Sequence, residues 1–282
     1  MKVVIPAAGQ GTRFLPATKS MPKEMLPVLD RPVIQYVVEE AVASGADDIT
    51  IITGRGKRAL EDHFDHNPEL AKYNDLPAMR GLEHLAERAT IHFVRQRSPR
   101  GLADAVACAA KHVGDEPFGV LLGDTINLCE PPLLRQLWDR FEELGSRSSV
   151  LAVETVPDSK VSDYGIIAGP QVRPGVFEVK QLVEKPTLAK APSRLGITGA
   201  YVLTPAVFEA IRSTPPGRND EVQLTDALDL LRKGEKVYAV TFQGVRYDIG
   251  DRFLWLRTNM EFALRDPELR DRLRPYLKEL LA

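Results

Sequence analysis

Apolar residues in this chain fall into short unbroken runs instead of the alternating pattern of a sheet with one wet face. Val3-Val4-Ile5-Pro6-Ala7-Ala8, Ile49 to Thr53, and residues 90–94, 118–122 and 149–155 read as strands buried on both sides. Between the first two, Val33, Val37, Val38, Ala41 and Val42 recur at helical spacing and predict a helix from about Pro32 to Ser44. Proline suits its first turn and Gly45 ends it. Helices are likewise expected at 57–65, 102–112 and 131–144. Strands alternating with helices make βαβ units, hence an α/β protein with a mainly parallel sheet covered on both faces. Ligands of such sheets bind beyond the carboxyl ends of the strands, which directs attention to the turns after residues 8, 53, 94 and 122.

The pattern loosens in two places. Residues 66–89 are charged and less regular, as in a helical insertion or flap. From 157 to 200 the chain breaks into β-like pieces, Gly165 to Ala168, Val176 to Val183 and Thr198 to Leu203, separated by proline and glycine. Helices at 205–212 and 222–233 and a strand at 237–242 restore the α/β pattern. The tail from Asp251 to Leu280 reads as two charged amphipathic helices divided near Pro267.

Composition narrows the possibilities. With 282 residues, 44% of them hydrophobic, the chain can bury a large core and is not disordered as a whole. Lys and Arg number 37 against 39 Asp and Glu, a net charge of -2, which gives no reason to expect nucleic acid or a membrane surface as partner. No stretch approaches the roughly 20 apolar residues that span a bilayer. The apolar start is too short for a signal peptide, and Cys108 and Cys129 are the only cysteines, so a reducing, cytoplasmic setting without a disulfide framework is expected.

Four clusters could carry chemistry. In Ala7-Ala8-Gly9-Gln10-Gly11-Thr12-Arg13 the glycines let backbone N–H groups approach a phosphate chain; Arg13, Lys19 and Lys23 follow in a loop stiffened by Pro16, Pro22 and Pro27. The segment lacks both the P-loop ending and the dinucleotide GxGxxG spacing. Asp124, after the run Leu121-Leu122-Gly123, and Asp248, in Tyr247-Asp248-Ile249-Gly250, are acids beyond strands, where Mg2+ could be held against phosphates. Glu184-Lys185-Pro186 offers an acceptor for sugar hydroxyls and a cation for a sugar phosphate; its bland reading is a surface ion pair. Asn219-Asp220-Glu221-Val222-Gln223 reads first as a helix start, with Glu221 a lesser site candidate. The histidines show no zinc-site spacing: His63 and His66 sit three apart on a helix face, and His84, His92 and His112 are scattered. Trp138 and Trp255 read as core or subunit-contact residues.

The segment from Pro6 through Gly9, Gly11, Thr12, Arg13, Lys19 and Lys23 to Pro27 closely resembles the signature of bacterial UTP-glucose-1-phosphate uridylyltransferases. Glu184-Lys185-Pro186, Asp220 to Ala227 and Asp248-Ile249-Gly250 follow in the family's order, so the resemblance covers nearly the whole chain. It implies a Rossmann-like three-layer nucleotidyltransferase fold, with a mixed central sheet and a small β-rich sugar-binding subdomain, in homo-oligomers of two or four. One domain over 1–282 would comprise a nucleotide-binding part (1–155), a sugar-binding part that supplies the second metal ligand (156–250) and C-terminal helices (251–282).

Carried over by resemblance, Ala8, Gly9, Gly11 and Thr12 would line the nucleotide, Arg13 and Lys23 grip the triphosphate, and Gln96 and Gly101 face the base. Asp124 and Asp248 would hold Mg2+; Glu184 would bind the sugar, Lys185 its phosphate, and Gly165 and Gly199 would frame it. The reaction implied is UTP plus glucose 1-phosphate giving UDP-glucose and pyrophosphate. Arg100-Gly101-Leu102-Ala103-Asp104, Gly123-Asp124-Thr125 and Ala200 depart from the family's commonest residues. These departures keep open the same reaction with dTTP, ATP or GTP, or with another sugar or cyclitol phosphate. A non-catalytic sugar-nucleotide-binding regulator is the alternative of another class; the paired acids and retained cations argue against it. A nicotinamide dehydrogenase would want a glycine turn leading straight into a helix.

Overall fold

Strand β1 (Lys2–Pro6) lies inside the sheet, as its apolar run requires: Val3, Val4 and Ile5 are all sealed from solvent. The structure is a computed structural model that describes residues 1–73, 76–217 and 220–282. After β1 come a loop of short 3-10 turns, the paired β2 (Pro27–Val28) and β3 (Arg31–Pro32), and helix α1 (Val33–Ala43). Then follow β4 (Asp48–Thr53), α2 (Arg58–Phe64), α3 (Pro77–Arg88), β5 (Thr90–Arg95), α4 (Leu102–Ala107), α5 (Ala110–Val113), β6 (Phe118–Leu121), β7 (Thr125–Leu128), α6 (Leu133–Glu143) and β8 (Ser149–Thr155). The second half contains β9 (Gly165–Ala168), β10 (Gln171–Arg173), β11 (Val176–Glu178), β12 (Gln181–Glu184), β13 (Leu195–Leu203), α7 (Ala206–Ser213), α8 (Leu224–Leu231), β14 (Val237–Thr241) and β15 (Val245–Asp248). Helices α9 (Arg252–Arg265) and α10 (Pro267–Leu280) close the chain.

Among the described residues the main sheet runs β10-β11-β14-β8-β13-β6-β1-β4-β5, with β9 joining β12 to β13. It is mixed. β6, β1, β4 and β5 are parallel, as is the β8–β14 pair, and β13 runs antiparallel between β6 and β8. Side chains alternate across the strands and fill two layers. Val4, Ile52, Val120, Leu151 and Val153 face α4, α7 and α8; Val3, Ile5, Ile51, Leu121 and Val150 face α1 and α6. Full burial on both faces is why the strands read as continuous apolar runs.

Two expectations change. The helix expected over 102–112 is two, because at Ala109 the bonding tightens from i−4 to i−3, Ala109 N–H donating to Val106 C=O at 3.1 Å. The run Val176 to Val183 is two strands, since the chain changes partners: β11 pairs with β14 and β12 with β9. Residues 66–89 do supply a helix, α3, although Asn74 and Asp75 lie outside the described residues. The division near Pro267 has a clear cause: Asp266 ends α9 and caps α10, its carboxylate accepting from Leu269 N–H at 2.9 Å with proline in the first turn. Cys108 and Cys129 are both free. Among the described residues no helix is long and apolar enough to cross a membrane.

Candidate active site

The first turn leaves β1 beside β4 and β6, at the carboxyl end of the parallel strands. Gly11 takes φ 66°, and a Cβ there would come within 2.9 Å of the Lys23 side chain, so glycine lets the loop close over that lysine. Lys23 reaches across to Asp124, just past β6, and its ammonium donates to the Asp124 carboxylate. Behind it Glu24 turns inward and pairs with Lys57 of the loop after β4 at 2.5 Å; the two side chains are only 1% and 7% exposed. The proline-stiffened loop is thus tied to both neighbouring strands through consecutive residues.

Asp248 arrives by a second route. Strand β7 leaves Asp124 and pairs with β15 so that Asp248 stands opposite Thr125, and Ile249 N–H donates to the Asp124 carbonyl at 3.0 Å. Burial pushes Asp248 above the ordinary carboxylate range, and the negative charge of Asp124 adds to it, against the pull of Arg246, Lys23 and Arg13. Burial would raise Asp124 too, but Lys23 overrides it and holds Asp124 below that range. Burial lowers Lys23, yet Asp124 and Glu24 keep it above the usual lysine value. Two carboxylates that repel each other in a half-closed site, one of them already neutralised by an ammonium, form an oxygen donor set suited to a hard divalent cation.

Across the cleft stands the β9–β12 hairpin. Glu184, the last residue of β12, accepts from Thr225 Oγ1 at 2.7 Å and meets Lys185 Nζ at 3.2 Å. Gly165 faces it; a Cβ would fall 2.7 Å from Thr225 Oγ1 and 3.2 Å from Glu184 Oε2, so only glycine leaves the carboxylate in place. Lys185 has φ 42°, uncommon for a residue with a side chain, and is 44% exposed. On the other flank Gln96 Nε2 donates to Asp104 at 2.7 Å and to Gly101 C=O at 3.3 Å, while Arg100 pairs with Asp104 at 2.9 Å.

These parts line adjoining lobes of one cleft, of about 1180, 460 and 580 Å3. Arg13, Glu184, Lys185 and Asp248 line both the first and the second; Gly9, Gly11, Thr12, Lys23 and Asp124 line both the second and the third. Gly165 and Gly199 border the second lobe, and Ala8, Gln96 and Gly101 the third. Lys19 lines a neighbouring pocket with Lys57 and Arg97 instead, but every residue carried over by the resemblance reaches this cleft. Glu221 does so as well, because Val222 N–H donates to Arg100 C=O at 2.8 Å; helix α8 starts only at Leu224, and Asn219 lies outside the described residues.

Sequence reasoning missed several neighbours. Arg246, two residues before Asp248 on β15 and so on the same face, pairs with Glu154 at 2.6 Å and Asp248 at 3.6 Å and donates to Tyr164 Oη at 2.7 Å. Period two would have found it. Nothing local marks Thr225 or Lys57, whose roles depend on distant partners. The histidines are not all scattered either. Among the described residues, Asp48, His92 and His112 form a group whose ligand atoms lie within 4.8 Å of one another, close enough to hold a metal.

Comparison with known proteins shows the family. The nucleotidyl transferase family profile matches residues 2–262. The UTP–glucose-1-phosphate uridylyltransferase of Bacillus subtilis (strain 168) is 48% identical over 99% of this chain and 97% of its own length. That of Staphylococcus epidermidis is 46% identical over 99% and 98%. The crystal structure of a UDP-glucose pyrophosphorylase complexed with UDP-glucose superposes with a TM-score of 0.88 at 40% identity, over 94% of this chain and 99% of that one. A UTP-bound enzyme from Acinetobacter baumannii gives 0.88 at 35% identity over 99% of both. With the fold, the cleft and near full-length relatives in agreement, the chain belongs to the nucleotidyl transferase family, alongside bacterial UTP–glucose-1-phosphate uridylyltransferases.

Proposed function

We propose that this enzyme joins UTP to glucose 1-phosphate, releasing pyrophosphate and UDP-glucose. The observation that carries the reading is the Lys23–Asp124 pair at the mouth of the glycine turn, with Asp248 and the Glu184-Lys185 hairpin in the same cleft. In the free protein Lys23 and Asp124 keep each other ionised. When substrates enter, Lys23 and Arg13 turn to the triphosphate oxygens; Asp124, freed from Lys23, would then hold Mg2+ together with Asp248, and the ion would supply neutralisation of phosphate charge. Lys185 holds the sugar phosphate, while Glu184, fixed by Thr225, accepts from sugar hydroxyls. Backbone of Ala8, Gly9, Gly11 and Thr12 lines the nucleotide; Gly165 and Gly199 frame the sugar. The sugar-phosphate oxygen then attacks the α-phosphorus in line and pyrophosphate leaves, so no side chain acts as nucleophile.

Gln96 supports the choice of base. Its Nε2 is committed to Asp104 and Gly101, which leaves Oε1 to accept a hydrogen bond. Uracil, thymine and guanine donate to such an acceptor from a ring N–H, adenine and cytosine only from an exocyclic amino group, so the acceptor fits uracil without selecting it. The relatives named as UTP enzymes, at 46 to 48% identity, favour uracil among these. We place the enzyme in the cytoplasm and read it as a dimer or tetramer; exposed Phe253 and Leu256 on α9 and Tyr276 and Leu280 on α10 support the association.

The test is pyrophosphate release with Mg2+, crossing UTP, dTTP, ATP, CTP and GTP against glucose 1-phosphate and related sugar phosphates. Selective turnover of UTP with glucose 1-phosphate is expected. Preference for ATP or CTP would defeat the choice of uracil, and silence across the panel would favour a binding-only protein.

A further inference from the structure

The end of the sheet away from the cleft holds a second set of chemically competent side chains. Asp48 opens β4, and in the parallel register Asp48 lies beside Thr90 and Thr50 beside His92, so Asp48 and His92 project from the same face of neighbouring strands. His112 comes from α5, which covers that face. Its Nε2 is 2.7 Å from Asp48 Oδ1, and His92 Nε2 is 3.8 Å from the same oxygen. The second distance is too long for a hydrogen bond. The two imidazoles lie 4.3 Å apart between ring centres at 55° to each other, so both present a ring nitrogen toward one carboxylate oxygen. The site lies at the amino ends of strands whose carboxyl ends form the cleft, five residues of β4 away, or about 16 Å.

We propose that Asp48, His92 and His112 form a binding site for a divalent transition metal of the Zn2+, Co2+ or Ni2+ class, separate from the catalytic cation. A metal bonded at about 2.1 Å to nitrogen and oxygen holds tetrahedral donors about 3.4 Å apart. The observed Oδ1–Nε2 separations, 2.7 and 3.8 Å, lie on either side of that value, so small side-chain rotations bring three donors onto one ion. All three residues are partly exposed, which leaves a side for water as fourth ligand. Imidazole donors select against Mg2+, which takes oxygen ligands in octahedral geometry. Lys2 stands beside the site, but its ammonium donates to the backbone carbonyls of His112 and Val113 at 3.4 and 3.0 Å and to Glu116 at 2.6 Å, not to Asp48. A bound ion would tie α5 to the β4–β5 edge of the sheet and so stabilise the fold by mass action.

The experiment uses tag-free, metal-stripped protein titrated with Co2+, followed by visible absorption, and with Zn2+, followed by equilibrium dialysis and thermal melting. One ion per chain is expected, with a rise in Tm that millimolar Mg2+ neither reproduces nor abolishes. His92→Ala, His112→Ala and Asp48→Asn should each weaken Zn2+ binding by at least about tenfold. Their Mg2+-dependent turnover and circular dichroism should match the parent's. His92→Ala is the most informative, because His92 is 42% exposed and its loss leaves the core intact. The assignment is overturned if the parent fails to take up Zn2+ at micromolar concentration, or if the His92→Ala/His112→Ala double variant binds it as tightly as the parent.

Discussion

The two walls of the cleft are built on different terms. Beneath β1, β4 and β6 the Lys23–Asp124 pair is backed by Glu24 and Lys57, which are almost fully enclosed. On the β9–β12 wall, Glu184 is held by one hydroxyl and by its own neighbour Lys185, which stands largely in solvent. The first wall, our proposed triphosphate seat, is assembled by contacts between residues 33 and 101 positions apart and exists before any ligand arrives. The second, our proposed sugar-phosphate seat, is held by fewer contacts and leaves its cation open. Damage to the first should therefore appear as lost folding stability or turnover, and damage to the second as weaker binding of one substrate.

The largest effect should come from Lys57→Met, which leaves the Glu24 carboxylate buried without its hydrogen-bonded partner. Breaking a buried pair from one side costs about 3–5 kcal/mol. The urea midpoint should fall by the corresponding amount with an unchanged slope. Adding Glu24→Leu should recover most of the loss, because the pair is then replaced by apolar groups. A single-variant loss below about 1 kcal/mol would make this wall no more sensitive than an exposed surface and end the contrast.

Next comes Asp124→Asn. A turnover loss of at least about a hundredfold, roughly 3 kcal/mol of transition-state stabilisation, is expected with the fold preserved. Near-normal Mg2+-dependent turnover in this variant would remove Asp124 from the metal role.

A pH experiment reaches the support behind the same wall. Glu40 on α1 accepts from Asn127 Nδ2 on β7 at 2.9 Å and from Leu134 N–H of α6 at 3.3 Å, so it ties the strand that leaves Asp124 to two helices. Burial pushes its pKa from 4.5 up to about 7. Between those values the folded chain keeps a proton that the unfolded chain releases, so stability falls as pH rises through the window and is flat on either side. Glu40→Gln has no such proton. The stability gap between variant and parent should move by about 3 kcal/mol in the variant's favour from pH 4.5 to 7. Parallel stability curves would mean that Glu40 titrates as it does in the unfolded chain.

The contrast between the walls also explains what could be read from the sequence. The βαβ order and the strands of the first half were legible because parallel strands buried on both faces leave unbroken apolar runs. The loop we assign to the phosphates was legible because Gly9, Gly11, Arg13 and Lys23 fall close together in sequence, between positions 9 and 23, and line one lobe of the cleft. Strand β7 was not, since it follows the Gly123-Asp124 turn after only four residues of β6 and pairs with β15, more than a hundred residues later. Thr225 was hidden for the same reason, being 41 residues from Glu184. His92 and His112 read as scattered because what brings them to Asp48 is a strand register and a helix broken at Ala109, neither of which leaves a local mark.

Lys185→Ala gives the smallest expected effect and the sharpest test of the exposed wall. Among the described residues the Lys185 ammonium pairs with its neighbour's carboxylate and is 44% exposed, so unfolding stability should stay within about 0.5 kcal/mol of the parent. A hydrogen bond to a charged phosphate contributes about 1.5–3 kcal/mol, so KM for the sugar phosphate should rise at least about tenfold while KM for the nucleotide holds. Lys185→Arg, which keeps the charge but changes its shape, should fall between. Equal weakening toward both substrates would mean that the two walls form one seat, with the hairpin cation acting on the triphosphate as well. Loss confined to the sugar phosphate would leave each wall with its own substrate, as their different construction implies.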